Sequence, residues 1–505
     1  MRSNSLGKSM RKLYAFLTMY SLWCNVFAQA LLNNNGADIY VKDGGFVIVK
    51  TNSLYNNQLI GAGVIDNAGT IVIEGNITND GNINATGDTI RLSGNWINNS
   101  AYSGNDSWVE LNGGAQQITG TSVTTFNNLN LLGGSVVKTQ TLDAVTSGVL
   151  VLNNAELATD AYEMLVSNTN TNAIVWNNGF VSSINMGKLS RATNSTSAYI
   201  YPVGSPSYNN PPSIFRPIEY APTASIAKTY GAMVVKGDAT NDSYNINTLD
   251  DVLCKVNPNF YHRLYHSFGN DATSVKMFFD PISDGDWTDQ GHWDSPNRWN
   301  YNGISSAGNG LGFSTVSVGG VTDFQPEPFA LARKRFTVNA GPDVSINLGE
   351  STTFNPTIGT SFISTIGWTP PANLTCLNCE TPDASPSSTT QYTITVTDNV
   401  GCIAADSLIV TVNNPELLIP TGFSPNGDGV NDVFRTLNKN IQKFNLEVFN
   451  RWGERVFQTS DPLEGWDGVF KGIEQELGTY VWKCDYVFMG SEKPQTAKGN
   501  VTLVR

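Results

Sequence analysis

The chain has 505 residues, which is enough for three or four domains, and its formal net charge is −13 at pH 7. Only 14% of the residues are charged, whereas Gly, Asn, Ser and Thr abound, and this composition favours a secreted all-β protein made of turns and short strands. Because the acidic excess repels polyanions, nucleic acid and anionic lipid are excluded as expected partners.

Residues 1–30 are predicted to be a secretory signal peptide. Four basic residues precede a largely apolar core at 13–27, and Ala28-Gln29-Ala30 forms a small-x-small cleavage sequence. The core is too short to span a bilayer stably, and no later segment approaches eighteen consecutive apolar residues. We therefore expect a mature chain that is soluble or attached to a surface, with a net charge of −17 once the four basic residues are removed.

Residues 31–191 contain an internal repeat. Five pairs of apolar residues begin 19, 19, 20 and 21 residues apart, and four of them are followed by glycine at the same offset. A second set of glycines recurs every six residues. The pairs are Ile71/Ile73, Ile90/Leu92, Val109/Leu111, Leu129/Leu131 and Leu150/Leu152; the glycines are Gly75, Gly94, Gly113 and Gly133, then Gly63, Gly69, Gly75, Gly81 and Gly87.

One strand per repeat, followed by a turn glycine, is what a coil of a parallel β-solenoid requires, since each coil buries its apolar face against the next. The sequence therefore predicts a β-solenoid-like region at 31–191. The alternative is a β-sandwich whose strands happen to be evenly spaced.

Residues 192–335 lose this period and become richer in aromatic residues. Segments 199–204, 215–220, 231–236 and 275–279 are predicted to be strands of a β-sandwich domain. Trp287, Trp293 and Trp299 lie near Asp286, Asp294 and Arg298, a combination that could form a carbohydrate-stacking face. The favoured interpretation is that these tryptophans fill a loop-rich edge of the sandwich.

Residues 336–413 are predicted to be a separate module. Segments 339–350, 366–368 and 391–398 resemble the PKD-like, immunoglobulin-like repeats of bacterial surface proteins. The resemblance implies a spacer in which Trp368 is the core tryptophan and Tyr392 begins a late strand. A short linker at 413–416 follows.

Cysteine is sparse, and Cys376, Cys379 and Cys402 are candidates for a disulfide. The first two have zinc-like spacing, but no histidine lies near to complete a tetrahedral site, so an extracellular disulfide is favoured over a metal. Whether Cys402 bonds one of them, or they bond each other, stays open. The five cysteines left after the signal peptide are an odd number, so we expect at least one free thiol.

No catalytic constellation is visible, so we expect a protein that is not an enzyme. The chain has three histidines, and none is accompanied by a G-x-S-x-G nucleophile pattern. His262 and His266 lie on one face of a predicted strand and could meet a metal, but a surface or packing role is favoured for both. A polysaccharide lyase or glycosidase is the alternative enzyme class, although the sequence picks out no carboxylate pair.

The C-terminal region contains five signals in one order at the spacing of a compact β domain. A loop with the pattern F-x-P-N-G-D-G-x-N-D is followed by a strand, an N-R-W-G turn, a W-D-G turn and two long strands. The motif residues are Phe423, Pro425, Asn426, Gly427, Asp428, Gly429, Asn431, Asp432, Asn450, Arg451, Trp452, Gly453, Trp466, Asp467 and Gly468. The strands are expected at 444–449, 456–457, 478–488 and 498–505.

This series resembles the type B C-terminal sorting domain of the type IX secretion system, also called the gliding motility-associated C-terminal domain. The resemblance covers residues 414–505 and implies an immunoglobulin-like β fold, the type IX secretion machinery as a partner, and release or anchoring outside the outer membrane. One departure is Glu476-Leu477, where the family often has a proline; it alters a turn and leaves the strands intact.

Asn426, Asp428, Asn431 and Asp432 bring four oxygen-bearing side chains close together around two glycines, as in short calcium loops. A glycine-rich turn in which these side chains bond their own backbone explains the residues equally well and is preferred. No other cofactor is expected.

The whole chain is thus interpreted as a secreted or cell-surface, all-β protein whose N-terminal region is an adhesin or binding surface for surface glycans or other extracellular ligands. The alternative is a carbohydrate-active protein that binds or cleaves glycans through residues 199–332.

Overall fold

The structure is a computed structural model that describes residues 32–50, 53–57, 63–208, 211–267, 271–294, 296–324, 327–413, 416–438, 440–489, 491 and 493–505. The fold is nearly all β, with 53% strand and 2% helix, which confirms the predicted class. The predicted signal peptide lies outside the described residues. No helix in the described ranges is both long enough and apolar enough to cross a membrane.

The chain divides into two compact units, one that ends at Lys334 and one that spans Arg335–Arg505. The first unit begins with short strands of two to six residues. They are β1 Leu32–Asn35, β2 Asp38–Val41, β3 Phe46–Val49, β4 Leu54–Asn57, β5 Val64–Asn67, β6 Thr70–Ile73, β7 Ile77–Asn79, β8 Asn82–Ala85, β9 Thr89–Leu92, β10 Trp96–Asn98, β11 Ala101–Gly104, β12 Trp108–Leu111, β13 Gln116–Gly120, β14 Thr124–Phe126, β15 Asn128–Leu131, β16 Val137–Gln140, β17 Ala144–Thr146, β18 Leu150–Asn153, β19 Glu156–Ala158, β20 Glu163–Val166, β21 Ile174–Trp176, β22 Phe180–Ser182, β23 Lys188–Thr193, β24 Tyr199–Tyr201 and β25 Val203–Gly204.

Every third strand joins the same parallel sheet, so three successive strands complete one coil. One face consists of β1, β4, β7, β10, β13, β16, β19, β22 and β25; another of β3, β6, β9, β12, β15, β18 and β21. The remaining face begins as β2, β5, β8 and β11 and continues in a second sheet with β14, β17, β20 and β23. These faces form a β-solenoid of about eight coils, as the repeat predicted.

The register of the coils explains the repeat in the sequence. Ile71 pairs with Ile90, Ile90 with Val109, and Val109 with Leu129 on adjacent strands. All four side chains are buried, because inward positions recur with the period of the coil and each apolar residue packs on the one above. The apolar pairs are therefore a continuous stack inside the solenoid.

The turn glycines are required by the close approach of neighbouring coils. A Cβ atom on Gly94 would lie 2.3 Å from the carbonyl carbon of Gly75, and one on Gly113 would lie 2.0 Å from the carbonyl oxygen of Ser93. A side chain at either position would force the stacked turns apart, which explains why glycine recurs after the strand.

A ladder of buried asparagines, which we call the asparagine ladder, runs inside one edge of the first coils. Nδ2 of Asn34 donates to Oδ1 of Asn56 at 2.9 Å, Asn56 to Asn79 at 3.0 Å, and Asn79 to Asn98 at 2.8 Å. All four are at most 3% exposed. The ladder ends at Gly120, where a Cβ would lie 2.0 Å from the carbonyl oxygen of Asn98. Each amide thus satisfies the next, as burial of polar groups requires.

The first unit continues with longer strands, one 3₁₀ helix at Ala239–Asp242 and one short helix, α1, at Pro281–Asp284. The strands are β26 Ile218–Pro222, β27 Lys228–Lys236, β28 Leu253–Val256, β29 Phe260–His266, β30 Thr273–Phe279, β31 Asp289–Asp294, β32 Arg298–Tyr301, β33 Ser305–Gly310, β34 Phe313–Val321 and β35 Pro328–Lys334.

The solenoid and these longer strands share a sheet and a core. β23 crosses residue 191 and pairs antiparallel with β27, so the sheet that begins at β14 runs on through β29, β35, β31 and β32. A five-stranded sheet ordered β24, β26, β30, β34, β33 lies in the same unit. One hydrophobic cluster extends from Val41 to Leu331. The predicted boundary between residues 191 and 192 therefore falls inside a strand, because the end of the solenoid serves as the template for the next strands.

The second unit contains β36 Val338–Asn339, β37 Val344–Asn347, β38 Thr352–Thr353, β39 Thr357–Ile358, β40 Ile363–Thr369, β41 Asp383–Ala384, β42 Thr390–Asp398, β43 Ile403–Asn413, β44 Gly422–Phe423, β45 Ile441–Phe449, β46 Arg455–Thr459, β47 Val469–Phe470, β48 Ile473–Glu474, β49 Gly478–Phe488 and β50 Gln495–Leu503. Its first sheet has the order β37, β43, β42, β40, with β37 parallel to β43.

The core of this first part is aromatic. The ring of Phe354 lies 5.0 Å from that of Trp368 and 5.3 Å from that of Tyr392. Trp368 is 2% exposed and Tyr392 is fully buried on β42. Trp368 is thus the core tryptophan that the resemblance implied, and Tyr392 lies near the start of β42.

Candidate functional site

The C-terminal sheet of the second unit carries the motif residues of the predicted sorting domain. Its strand order is β44, β50, β49, β45, β46, with β44 parallel to β50 and the other neighbours antiparallel. The predicted strand at 478–488 coincides with β49. The motif loops connect these strands, and their side chains either pack into the core or face solvent.

Two of the motif aromatics are buried together. The ring of Phe423 lies 5.4 Å from Trp466 and 6.0 Å from Phe434, and Trp466 lies edge-on to Tyr480 at 4.7 Å. Trp466 is 1% exposed, and its Nε1 donates to the carbonyl oxygen of Val469 at 3.0 Å. Aromatic packing of this kind stabilises the core. Phe423 and Trp466 therefore have a structural role.

The loop after Phe423 is held by its own acidic side chains. The carboxylate of Asp432 accepts hydrogen bonds from the backbone N–H groups of Asn426, Gly427 and Gly429 at 2.8–3.0 Å. Asp428 accepts from the N–H of Val430 at 2.8 Å, and this bond lowers the pKa of Asp428. The oxygens that a calcium ion would need thus bind the backbone, an arrangement that corresponds to the glycine-rich turn.

The N-R-W-G turn is organised in the same way but presents its aromatic residue to solvent. Oδ1 of Asn450 accepts from the N–H of Trp452 at 3.1 Å and of Glu454 at 2.9 Å, and Gly453 has a φ of +80°. Trp452 is 75% exposed. The Arg451 guanidinium lies 5.0 Å from its ring centroid and 2.9 Å from Glu476. Arg451 and Trp452 therefore form an exposed cation–aromatic pair, which we call the Arg451–Trp452 pair.

The W-D-G turn links the loop to the sheet. The N–H and C=O groups of Phe434 and Trp466 bond each other at 2.8 and 2.9 Å. Asp467 accepts from the N–H of Val469 at 3.0 Å, and Gly468 has a φ of +80°, which only glycine adopts without strain. This turn places Trp466 in the core.

Sequence reasoning did not identify a cavity of about 520 Å³ on the same domain. Its walls include Lys443 and Phe444 from β45, Tyr486 from β49, and Gln495 from β50. Tyr486 bonds Gln495 at 3.0 Å across the strands. No local pattern could have predicted it, because its residues come from three strands that only the sheet brings together.

The three tryptophans that could have stacked on a sugar are buried. Trp287, Trp293 and Trp299 are 4%, 8% and 0% exposed. Trp293 and Trp299 pack edge to face at 5.9 Å in a small cluster on the last two strands of the sheet, as the favoured interpretation expected. Trp287 instead belongs to the main hydrophobic cluster of the unit.

His262 and His266 lie on β29 and pack against neighbouring side chains and backbone. His262 is fully buried, and its Nε2 lies 2.9 Å from the carbonyl oxygen of Arg216. Burial lowers the pKa of His262 to about 4. The ring of His266 stacks on Tyr230 at 4.9 Å.

The cysteines of the second unit separate into two kinds. Cys376 and Cys379 are joined to each other by a disulfide, and the buried Cys402 is disulfide-bonded as well. Cys484 is a free thiol in the described part of the chain, and burial raises its pKa to about 12. A thiol with so high a pKa is unreactive at neutral pH.

Comparison with known proteins gives the C-terminal domain a family. Residues 417–503 match the family described as CHU_C Type IX secretion signal domain. No curated protein matches the chain.

Among solved structures, dimeric latent PorU from Porphyromonas gingivalis shares 11% identity over 47% of this chain and 32% of that chain, with a TM-score of 0.14. The chain therefore spans about a third of PorU. The chicken CNTN1 FN1-FN3 domains share 9% sequence identity over 46% of this chain and 94% of that chain, with a TM-score of 0.12. SGBP-B of the Bacteroides ovatus mixed-linkage glucan utilization locus, in complex with a mixed-linkage heptasaccharide, shares 9% identity over 62% of this chain and 91% of that chain, with a TM-score of 0.12.

Likenesses as low as these carry no argument about this chain. The family match is different, because it covers the whole series of motif loops described above. Residues 417–503 are therefore a type IX secretion signal domain, which implies interaction with the type IX secretion machinery and export to the cell surface or secretion.

Proposed function

We propose that this chain is a non-enzymatic surface or secreted protein whose C-terminal domain is its export address and whose N-terminal solenoid is an adhesin or binding surface. Residues 336–413 serve as a PKD-like spacer between them. After passage through the outer membrane the protein is released or anchored on the exterior of the cell. The match of residues 417–503 to the type IX signal domain is the observation that carries the proposal.

The exposed motif residues are the proposed contact with the secretion machinery. Trp466 is buried in the domain core, whereas Trp452 is 75% exposed and lies against Arg451. Exposed large aromatics paired with arginine are typical of the residues that dominate binding to a protein partner. The Arg451–Trp452 pair therefore has a surface geometry that suits recognition and has no evident packing role.

The proposed binding surface is a polar row on the outside of the solenoid. Arg91 Nε donates to Glu110 at 2.6 Å, Asn130 Nδ2 donates to Glu110 at 3.1 Å, and Asn153 Nδ2 donates to Asn130 at 2.9 Å. These residues belong to four successive strands of one sheet. Rows of donors and acceptors at the spacing of strands, about 4.8 Å, suit a polar polymer such as a surface glycan better than an apolar ligand.

Export can be tested with the second compact unit as the carrier. A secreted reporter fused between residues 1–30 and 335–505 should reach the cell surface or medium, whereas the full chain without residues 417–505 should stop in the periplasm. Fractionation and protease shaving of intact cells measure both. Appearance of the truncated chain outside the cell in wild-type amounts contradicts the proposed address.

Ligand binding can be tested separately on a glycan array with the chain from residue 31. The expected result is calcium-independent binding that is lost in Asn130→Ala but retained in Asn84→Ala, which removes an outward amide from another face of the solenoid. Equal binding by both variants places the ligand elsewhere, and turnover of a bound glycan would identify a carbohydrate-active enzyme.

A further inference from the structure

A group of ligand-type side chains lies at the edge of the sheet in the first unit, away from the export domain. One ring nitrogen of His292 and one carboxylate oxygen each of Asp294 and Asp323 lie within 4.8 Å of one another. His292 and Asp294 are two residues apart on β31, so they share a face of the strand. Asp323 follows β34, which ends at Val321.

The histidine in this group is buried and incompletely bonded. His292 is 6% exposed, and its Nε2 has no hydrogen-bond partner. Its ring stacks on Phe329 with centroids 4.0 Å apart and planes at 13°, which fixes the orientation of the imidazole. A buried imidazole nitrogen without a partner is costly unless something else binds it.

A fourth residue points to the same requirement. Oε2 of Glu327, immediately before β35, is also buried without a hydrogen-bond partner. The charge of Glu327 acts on His292 together with those of Asp294 and Asp323.

Two residues of the group lie on a paired strand. β31 pairs with β35 and β32, with His292 opposite Phe329 and Asp294 opposite Arg298. Asp323 lies on the segment that follows β34, where the ring of the adjacent Phe324 is buried in the core and stacks on Phe329. Residues on packed strands hold their geometry well, and the buried ring of Phe324 anchors the segment beside Asp323.

We propose that His292, Asp294 and Asp323 form a divalent metal site beside Glu327, and that its occupant is Zn²⁺. One imidazole with carboxylate oxygens is a ligand set that zinc accepts in four-coordinate sites, whereas calcium prefers oxygen alone. Ligands around tetrahedral zinc, at about 2.0–2.2 Å from the ion, lie about 3.3–3.6 Å from one another, so the group has to contract by about 1 Å on binding. The ion would join the β31–β32 hairpin to the segment that follows β34.

The site has a role separate from the proposed export and ligand binding. It links the β31–β32 edge of the sheet to the segment that follows β34, in addition to the pairing of β31 with β35. Binding of zinc to the folded state alone should raise the melting temperature with zinc concentration.

The test uses the chain from residue 31, stripped with EDTA and dialysed. Titration calorimetry with ZnCl₂ should give one saturable site per chain, and ZnCl₂ should raise the melting temperature. His292→Gln and Asp323→Asn should each weaken binding at least about tenfold. Asp251→Asn, an exposed aspartate on a nearby loop, is the matched control and should bind zinc as the wild type does.

Asp294→Asn keeps the test decisive if the buried variants fold poorly, because Asp294 is exposed and its loss should spare the fold. It should also weaken zinc binding. MnCl₂ and CaCl₂ are titrated in parallel. Absence of saturable zinc binding, unchanged affinity in Asp294→Asn, or tighter binding of calcium than of zinc would each overturn the proposal.

Discussion

The solenoid and the C-terminal signal domain are both β structures, but they encode their folds in opposite ways. In the solenoid the same inward position recurs in every coil, as in the stack of Ile71, Ile90, Val109 and Leu129. In the signal domain the core aromatics do not recur with a period and come from several loops and strands, and Trp466 is the central example. The solenoid core is therefore specified by many equivalent residues, whereas the core of the signal domain is specified by individual residues that have no equivalent elsewhere in the domain.

The same contrast applies to asparagine and aspartate. In the asparagine ladder, Asn56 bonds residues more than twenty positions away in the neighbouring coils. In the signal domain, Asp432 and Asn450 bond backbone groups within their own loops. Identical chemistry thus connects coils in one region and shapes local turns in the other.

A charge inside the stack should have the largest effect. Ile90→Asp places an unpaired carboxylate between buried residues of two neighbouring coils and should cost about 3–5 kcal/mol of unfolding free energy. Urea unfolding of the chain from residue 31, followed by hydrogen exchange of solenoid peptides, measures the loss. The control is Val72→Asp, an outward position opposite Arg91, which should be nearly neutral. Wild-type protection in Ile90→Asp contradicts the stacked register.

Removing the single-copy aromatic should come next. Trp466→Ala should cost about 3–5 kcal/mol of unfolding free energy in the second unit, because no neighbouring repeat can compensate for the cavity.

Trp452→Ala should change stability by less than about 0.5 kcal/mol and still reduce export of the full chain. Stability and fractionation are measured on both variants. Normal export of a folded Trp452→Ala protein would exclude the Arg451–Trp452 pair from recognition.

Breaking the asparagine ladder should have a moderate effect. Asn56→Ala removes the bonds of Asn56 to the buried amides of Asn34 and Asn79 and should cost about 1–3 kcal/mol. Asn84→Ala removes an outward amide that bonds Asp66 and should cost less than about 1 kcal/mol. Both are compared by urea unfolding. Equal losses would mean that the inward ladder contributes no more than a surface bond.

A smaller, pH-dependent effect is expected at Lys138. Its Nζ donates to the carbonyl oxygens of Gly113 and Gly114 and to Oε1 of Gln116 at 2.6–2.8 Å, inside the solenoid. Burial lowers its pKa from 10.5 to about 8. Between about pH 8 and pH 10.5 the unfolded chain binds more protons at this residue, so its contribution to stability should rise with pH.

Comparison with Lys138→Met isolates the contribution of Lys138 to the pH dependence of stability, because the other groups that titrate in this range are common to both proteins. The unfolding free energy of the wild type should increase relative to that of Lys138→Met as the pH rises from about 8 to about 10.5. A difference that stays constant over this range contradicts the lowered pKa.

The smallest expected effect is that of calcium on the signal domain. Since Asp428 and Asp432 already accept backbone hydrogen bonds, calorimetry of the chain from residue 31 should give no heat from the 423–432 loop with millimolar calcium. Any heat that is observed should be the same in Asp428→Asn. Heat that disappears in this variant would show that the loop binds calcium.

The sequence by itself determined the solenoid and the signal domain. The apolar pairs predicted the coils, because each inward position meets its copy one period later. The C-terminal motifs predicted their domain, because turn residues such as Gly453 and Gly468 reflect local backbone geometry that the sequence states directly. The burial of Trp368 was expected only from the resemblance of its module to PKD-like repeats.

Only the tertiary structure decided which distant residues meet. The ladder from Asn34 to Asn98, the cavity on the signal domain and the group around His292 all depend on register between strands that are far apart in the chain. The strand through residue 191 likewise depends on the exposed edge that the last coil offers to β27. Period and turn chemistry are local properties of a sequence, whereas strand pairing and burial are decided by packing of the whole unit.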